Sequence, residues 1–265
     1  MWLTSSYQPA ALTMTSKIAV EICIDSIEGA LAAEQGGAQR VELCANLVEG
    51  GTTPSSGMIA LARQHLAIAL NVIIRPRGGD FYYSDLEFAV MQHDVVQAKA
   101  LGADGVVIGL LHPDGTIDQE RSAILIALAR PLSVTFHRAF DMTVDPRQAL
   151  DDLIALGVDR VLTSGQANTA LDGLELITAL VKQAADRLIV MPGGGINEMN
   201  VQPIVARSSA REVHLSARST VESAMTFRNE RVFMGLPEFS EFQRKTTDGA
   251  RVRTIVQYLQ SEHDH

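Results

Sequence analysis

Apolar residues along this chain follow two alternating rhythms. Short runs repeat every second residue, as in VEICI at 20–24, and longer runs repeat every third or fourth, as in DPRQALDDLIAL at 145–156. The first rhythm predicts strands with one inward face, the second amphipathic helices. Three segments share one layout: GAQRVEL at 37–43, GADGVVI at 102–108 and GVDRVLT at 157–163, with a looser copy in SAREVHL at 209–215. Each reads as a helix stopped near Gly, a short turn, then a strand. Between them, strands are predicted at 18–24 (IAVEICI), 68–76 (IALNVIIRP), 133–139 (SVTFHRA) and 188–194 (LIVMPGG). Helical runs separate the strands, and Asp145 before Pro146 reads as an N-cap followed by proline at the first helical position. Eight strands alternating with helices over 265 residues predict an α/β fold, a (β/α)₈ TIM barrel in a single domain. That barrel is expected to span 17–265, with the Ser/Thr-rich residues 1–16 as a mobile leader.

Alternation also assigns directions. Bulky aliphatic residues of barrel strands face the helices, so Val20, Ile22, Val41, Leu43, Leu70, Val72, Val134, Phe136, Val213 and Leu215 are expected to point outward. The residues between them then point to the barrel axis: Glu21, Cys23, Glu42, Cys44, Asn71, Arg75, Thr135, His137, Ser164 and His214. A packed barrel would prefer Val, Ile or Leu there. Buried charges need partners, because an unpaired one costs several kcal/mol. Either they pair among themselves, Glu42 with Arg75 for example, or they line a cavity at the C-terminal mouth, where such barrels carry their chemistry. Cysteine also packs well as a small hydrophobe, but matching places on neighbouring strands would let Cys23 and Cys44 share one soft metal ion.

Two loops add candidate chemistry. In IIRPRGGDFYYSD (73–85), Arg75 and Arg77 beside a Gly pair suit an anion, although Asp80 offers them a salt-bridged turn instead. In MPGGGIN (191–197), the amides of Gly193, Gly194 and Gly195 follow the seventh strand, where barrels of this type often hold phosphate. A connection of some 30 residues (218–247) is expected to cover the same mouth and bring cations from FRNERVFMG and QRKTTD. One reading is therefore an enzyme acting on a small anionic or phosphorylated metabolite, with His137 and Glu42 or Glu21 as catalytic proton carriers and Asp80, Ser164 and His214 completing the pocket.

A net charge of -9 argues against nucleic acid as a partner, and no apolar run is long enough to cross a membrane. Without a secretory signal pattern, and with only two Cys, the chain reads as cytoplasmic with both thiols reduced. Self-association suits such a barrel, but no sequence feature indicates it.

Taken together, EIC with VELC, EGGTTPS, RPRGGDF, TFHRAFD, RVLTSG and EVH resemble the CutC copper homeostasis proteins, over nearly the whole chain beyond the leader. The resemblance implies a TIM barrel, copper handling, and Cu(I) held by the thiols of Cys23 and Cys44.

Overall fold

The computed structural model describes residues 18–261 apart from 230, 233 and 235–239, so the expected leader lies outside the described residues. All eight expected strands form: β1 (Ala19–Ile24), β2 (Arg40–Leu43), β3 (Ala69–Ile73), β4 (Gly105–Ile108), β5 (Ser133–Phe136), β6 (Arg160–Thr163), β7 (Ile189–Pro192) and β8 (Glu212–Leu215). They pair in parallel in the order β7-β6-β5-β4-β3-β2-β1-β8. A parallel bridge between Gly193 and His214 brings β7 to β8 and closes the ring. The fold is the (β/α)₈ TIM barrel that the strand count predicts.

Helices α1 (Ile27–Gln35), α2 (Ser56–His65), α3 (Asp85–Ala100), α4 (Gln119–Ala129), α5 (Pro146–Leu156), α6 (Leu174–Ala184), α7 (Val201–Ser208) and α8 (Gly249–Ser261) surround the strands. Their starts follow local chemistry. Asp145 caps α5 by accepting from the amides of Arg147 and Gln148, with Pro146 at the first turn. Ser84 and Glu87 form a reciprocal capping box on α3. Helix α7 is not among the helical runs named from the sequence; it is only eight residues long and carries Pro203 in its first turn. The expected long connection after β8 holds an antiparallel hairpin, β9 (Arg218–Glu222) with β10 (Gln243–Thr247).

The outward row falls as alternation predicts. Val20, Ile22, Val41, Leu43, Leu70, Val72, Val134, Phe136, Val213 and Leu215 join one core with buried helix residues such as Met91, Leu150 and Ile255. Each large aliphatic or aromatic side chain buried there contributes about 1.5–3 kcal/mol. The last helix packs tightly on the first: a Cβ on Gly36 would meet Val252 Cβ and Cγ1 at 2.6 Å. Gly36→Ala is therefore expected to cost about 1–3 kcal/mol by forcing α8 from α1, read as a lower urea midpoint. An unchanged midpoint would show that α8 yields freely.

Candidate metal and ligand site at the barrel mouth

The barrel axis is charged from its floor. Arg40 pairs with Glu21 and Glu212, and Arg160 Nε lies 3.0 Å from Glu212 Oε2. Asn71 donates to Glu21 Oε2 at 3.1 Å, and Arg160 Nη1 donates to Ser133 Oγ at 2.6 Å. Arg40, Arg160 and Glu212 are inward by the same alternation that finds Glu21, since they flank Val41, Val161 and Val213. The signal was present at the first residue of each strand. Burial alone would raise the Glu21 carboxyl, but the Arg40 charge and the His214 hydrogen bond overcome it and hold it at about 2.

One inward step toward the mouth stand Cys23 and Glu42, paired in register across β1 and β2. Cys44 follows one step beyond Glu42, so the thiols meet diagonally across the strands, with Sγ atoms 3.7 Å apart. Cys44 is sealed, its sulfur packed beneath Gly51 and grouped with Ile73 and Val107. Its Sγ also lies 3.6 Å from Glu42 Oε2. One ligand atom from each of Cys23, Glu42 and Cys44 falls within 4.8 Å of the others, a set able to hold a metal ion.

His214 joins this cluster to the floor. Its Nδ1 lies 2.7 Å from Glu21 Oε1 and its Nε2 lies 3.6 Å from Glu42 Oε2. Burial opposes its charge, but Cys23, Glu21 and Glu42 together raise the imidazole well above its ordinary value. The hydrogen bond from Cys44, then that from His214, overcome burial and lower the Cys23 thiol to about 5. The Cys44 thiol is pushed well above its usual range as the donor to Cys23 and by its own burial. Glu42 is raised to about 8, first by burial and then by the Cys23 charge. The cluster thus favours negative charge on the Cys23 sulfur and positive charge on the His214 ring, and disfavours ionisation of Cys44 and Glu42.

Above it opens a cavity of about 340 Å³, lined among others by Cys23, Glu42, Arg75, Phe81, His137 and His214. A larger hollow of about 620 Å³ lies near Asp159, Arg187 and Arg211, at the N-terminal ends of β6–β8. The upper cavity is the stronger candidate, because it alone touches the thiol cluster and sits where these barrels carry chemistry.

Other expected residues divide between this mouth and its surroundings. Glu42 does not pair with Arg75, as one sequence reading suggested: Arg75 lies past the end of β3 and donates to the carbonyl oxygens of Glu49, Gly51 and Gly79, each at 2.8 Å. Arg77 and Asp80 pair with each other at 3.0 Å, and Arg77 pairs with Glu87 at 2.6 Å, all away from the cavity lining. Ser164 lies behind the wall, its Oγ accepting from Arg138 Nη2 at 2.6 Å. Gly193, Gly194 and Gly195 do not line the cavity; the Gly193 amide donates to Thr163 O, and the Gly194 carbonyl accepts from Ala170. No described residue of 218–247 lines it either, and Glu230, Phe233 and Gly235 of the expected cationic segment lie outside the described residues. The sequence reading missed Phe81, Arg138 and Asp141 as lining residues. The latter two stand in the short 3₁₀ turn after His137, where no strand or helix period applies.

Among the described residues no helix is long and apolar enough to cross a membrane. Residues 18–219 match the CutC family. The human copper homeostasis protein cutC homolog is 54% identical over 237 residues, 89% of this chain and 87% of that protein. A family protein CutC from Chromobacterium violaceum is 52% identical, over 91% of this chain and 97% of its own length. Among solved structures, a CutC from Streptococcus agalactiae superposes with a TM-score of 0.72 at 37% identity, covering 75% of this chain and 98% of that one. Phosphoribosyl anthranilate isomerase from Thermotoga maritima, 13% identical with a TM-score of 0.55 over 92% of this chain and 99% of that one, shares the fold alone. Motif, barrel and similarity over most of the length agree, and this chain belongs to the CutC family.

Proposed function

We propose that this protein binds Cu(I) in the cytosol as part of copper homeostasis, with the Cys23 and Cys44 sulfurs as its ligands and Glu42 as a neighbouring oxygen donor. The observation that carries this reading is the 3.7 Å separation of the two sulfurs on adjacent strands. That distance is shorter than two metal–sulfur bonds of about 2.3 Å each, so one ion can touch both. The donor set fits the metal, since thiolates select soft ions such as Cu(I) over hard ones. Cys23 is already disposed to be a thiolate, while Cys44 must release its proton to solvent as the ion binds. The reducing cytosol keeps both sulfurs available, and the names of the human and mouse relatives support the copper assignment.

The test is anaerobic titration of reduced protein with Cu(I) against a competing chelator. One Cu(I) per chain is expected, and the joint change Cys23→Ser with Cys44→Ser is expected to abolish that binding. Unaltered stoichiometry and affinity in the double variant would end the proposal.

A further inference from the structure

In the lining of the same cavity, two buried cationic or donor side chains remain incompletely partnered. Arg75 is only 5% exposed, and no carboxylate among the described residues lies within ion-pair distance of it. Three of its hydrogen bonds go to neutral carbonyl oxygens, which leave the charge itself uncompensated, and its Nε has no partner. His137 is likewise 5% exposed. Its Nδ1 accepts from the Ala139 amide at 3.1 Å, so in the neutral ring the proton sits on Nε2, and Nε2 has no partner either. A buried donor left unpaired costs about 1–3 kcal/mol, and an uncompensated buried charge costs more.

The surroundings hold this donor in place. A Cβ at Gly109 would fall 2.2 Å from His137 Cε1 and 2.4 Å from Nδ1, so glycine there is what admits the imidazole. Phe81 packs on the ring with centroids 5.1 Å apart, and the Arg75 guanidinium lies 5.1 Å over the Phe81 ring. Burial, followed by the Arg75 charge, lowers His137 to about 3 and keeps it a neutral donor.

We propose that this half of the cavity is a binding site for a small organic carboxylate, whose oxygen accepts from His137 Nε2–H and whose charge answers that of Arg75. The inference is independent of copper. Carboxylate is favoured over phosphate because Gly193–Gly195, the amide cradle that a phosphate would use, stands outside the cavity lining. Phe81, Ile73, Leu162 and Met142 supply an apolar wall, which suits a short hydrocarbon skeleton on the acid.

Butyrate and benzoate are the probes, with inorganic phosphate as the contrasting anion. Binding is followed by calorimetry and by the His137 Nε2–H resonance in protein labelled with ¹⁵N-histidine. A saturable shift of that resonance with at least one carboxylate, and a weaker response to phosphate, are expected. His137→Phe keeps the volume and loses the donor, and is expected to weaken binding about tenfold or more; His137→Gln, which restores an N–H near the same place, is expected to recover most of it. Gly109→Ala is expected to weaken binding by displacing the ring. No carboxylate binding at millimolar concentration, preference for phosphate, or equal affinity in His137→Phe would overturn the inference.

Discussion

Glu21→Ala is expected to destabilise the fold by about 3–5 kcal/mol, a large share of the stability of a domain this size. Glu21 is 1% exposed and receives three partners at once: Arg40, Asn71 and His214. Deleting its carboxylate leaves Arg40 with Glu212 alone and strips His214 of the carboxylate at its Nδ1. Both side chains are largely buried, so solvent compensates little of the loss. Exchanging the charged group for apolar residues as a set has a different expected outcome. Because removing a whole buried ion network often costs little, Glu21→Leu combined with Arg40→Met is expected to recover part of the loss. Urea unfolding measures both. A single-variant loss below about 1 kcal/mol would mean that the floor is hydrated and its charges are solvated, contrary to this account.

Stability is also expected to drain away as pH falls from 6.5 toward 3, with His137 as a principal cause. In the unfolded chain this imidazole takes up a proton near its ordinary value of 6.5, whereas in the folded chain it stays neutral down to about 3. Across that window the unfolded state binds more protons, so the contribution is complete above pH 6.5 and shrinks as acid is added. At about 1.4 kcal/mol per pH unit, the loss is roughly 3 kcal/mol by pH 4.5. Glu21, held at about 2, adds its own loss only below about 4.5, the usual carboxyl range. The two are separable by comparing the parent with His137→Gln at each pH. The parent is expected to lose the extra increment between pH 6.5 and 4.5, and parallel curves for the two proteins would refute the assignment to His137.

Much of this architecture is legible in the residues, because burying one face of a strand forces period two. Alternation placed Glu21, Cys23, Glu42 and His214 on the axis, and the structure finds them there in contact. What alternation cannot give is height along the axis. Cys23 lies level with Glu42 rather than with Cys44, a consequence of sheet register that depends on chain pairs and not on either strand alone. Arg75 shows the second limit. It lies beyond Ile73, the last residue of β3, and its guanidinium turns to loop carbonyls that no periodicity predicts. Arg138 and Asp141 were hidden for the same reason, since a five-residue 3₁₀ turn has neither rhythm. Arg77 and the glycine triplet looked like anion ligands by composition, but Glu87 and Asp80 take up the arginine, and the glycines stand outside the cavity lining with the Gly193 amide spent on Thr163.

The join between β7 and β8 gives His214 a second duty. A single bridge, Gly193 to His214, completes the ring there, whereas neighbouring joins carry runs of paired residues. The side chain that steadies the sulfur thus hangs from the backbone position that fastens the cylinder. One residue serves both the closure of the cylinder and the charge balance at the Cys23 sulfur, so a displacement of either is felt by the other.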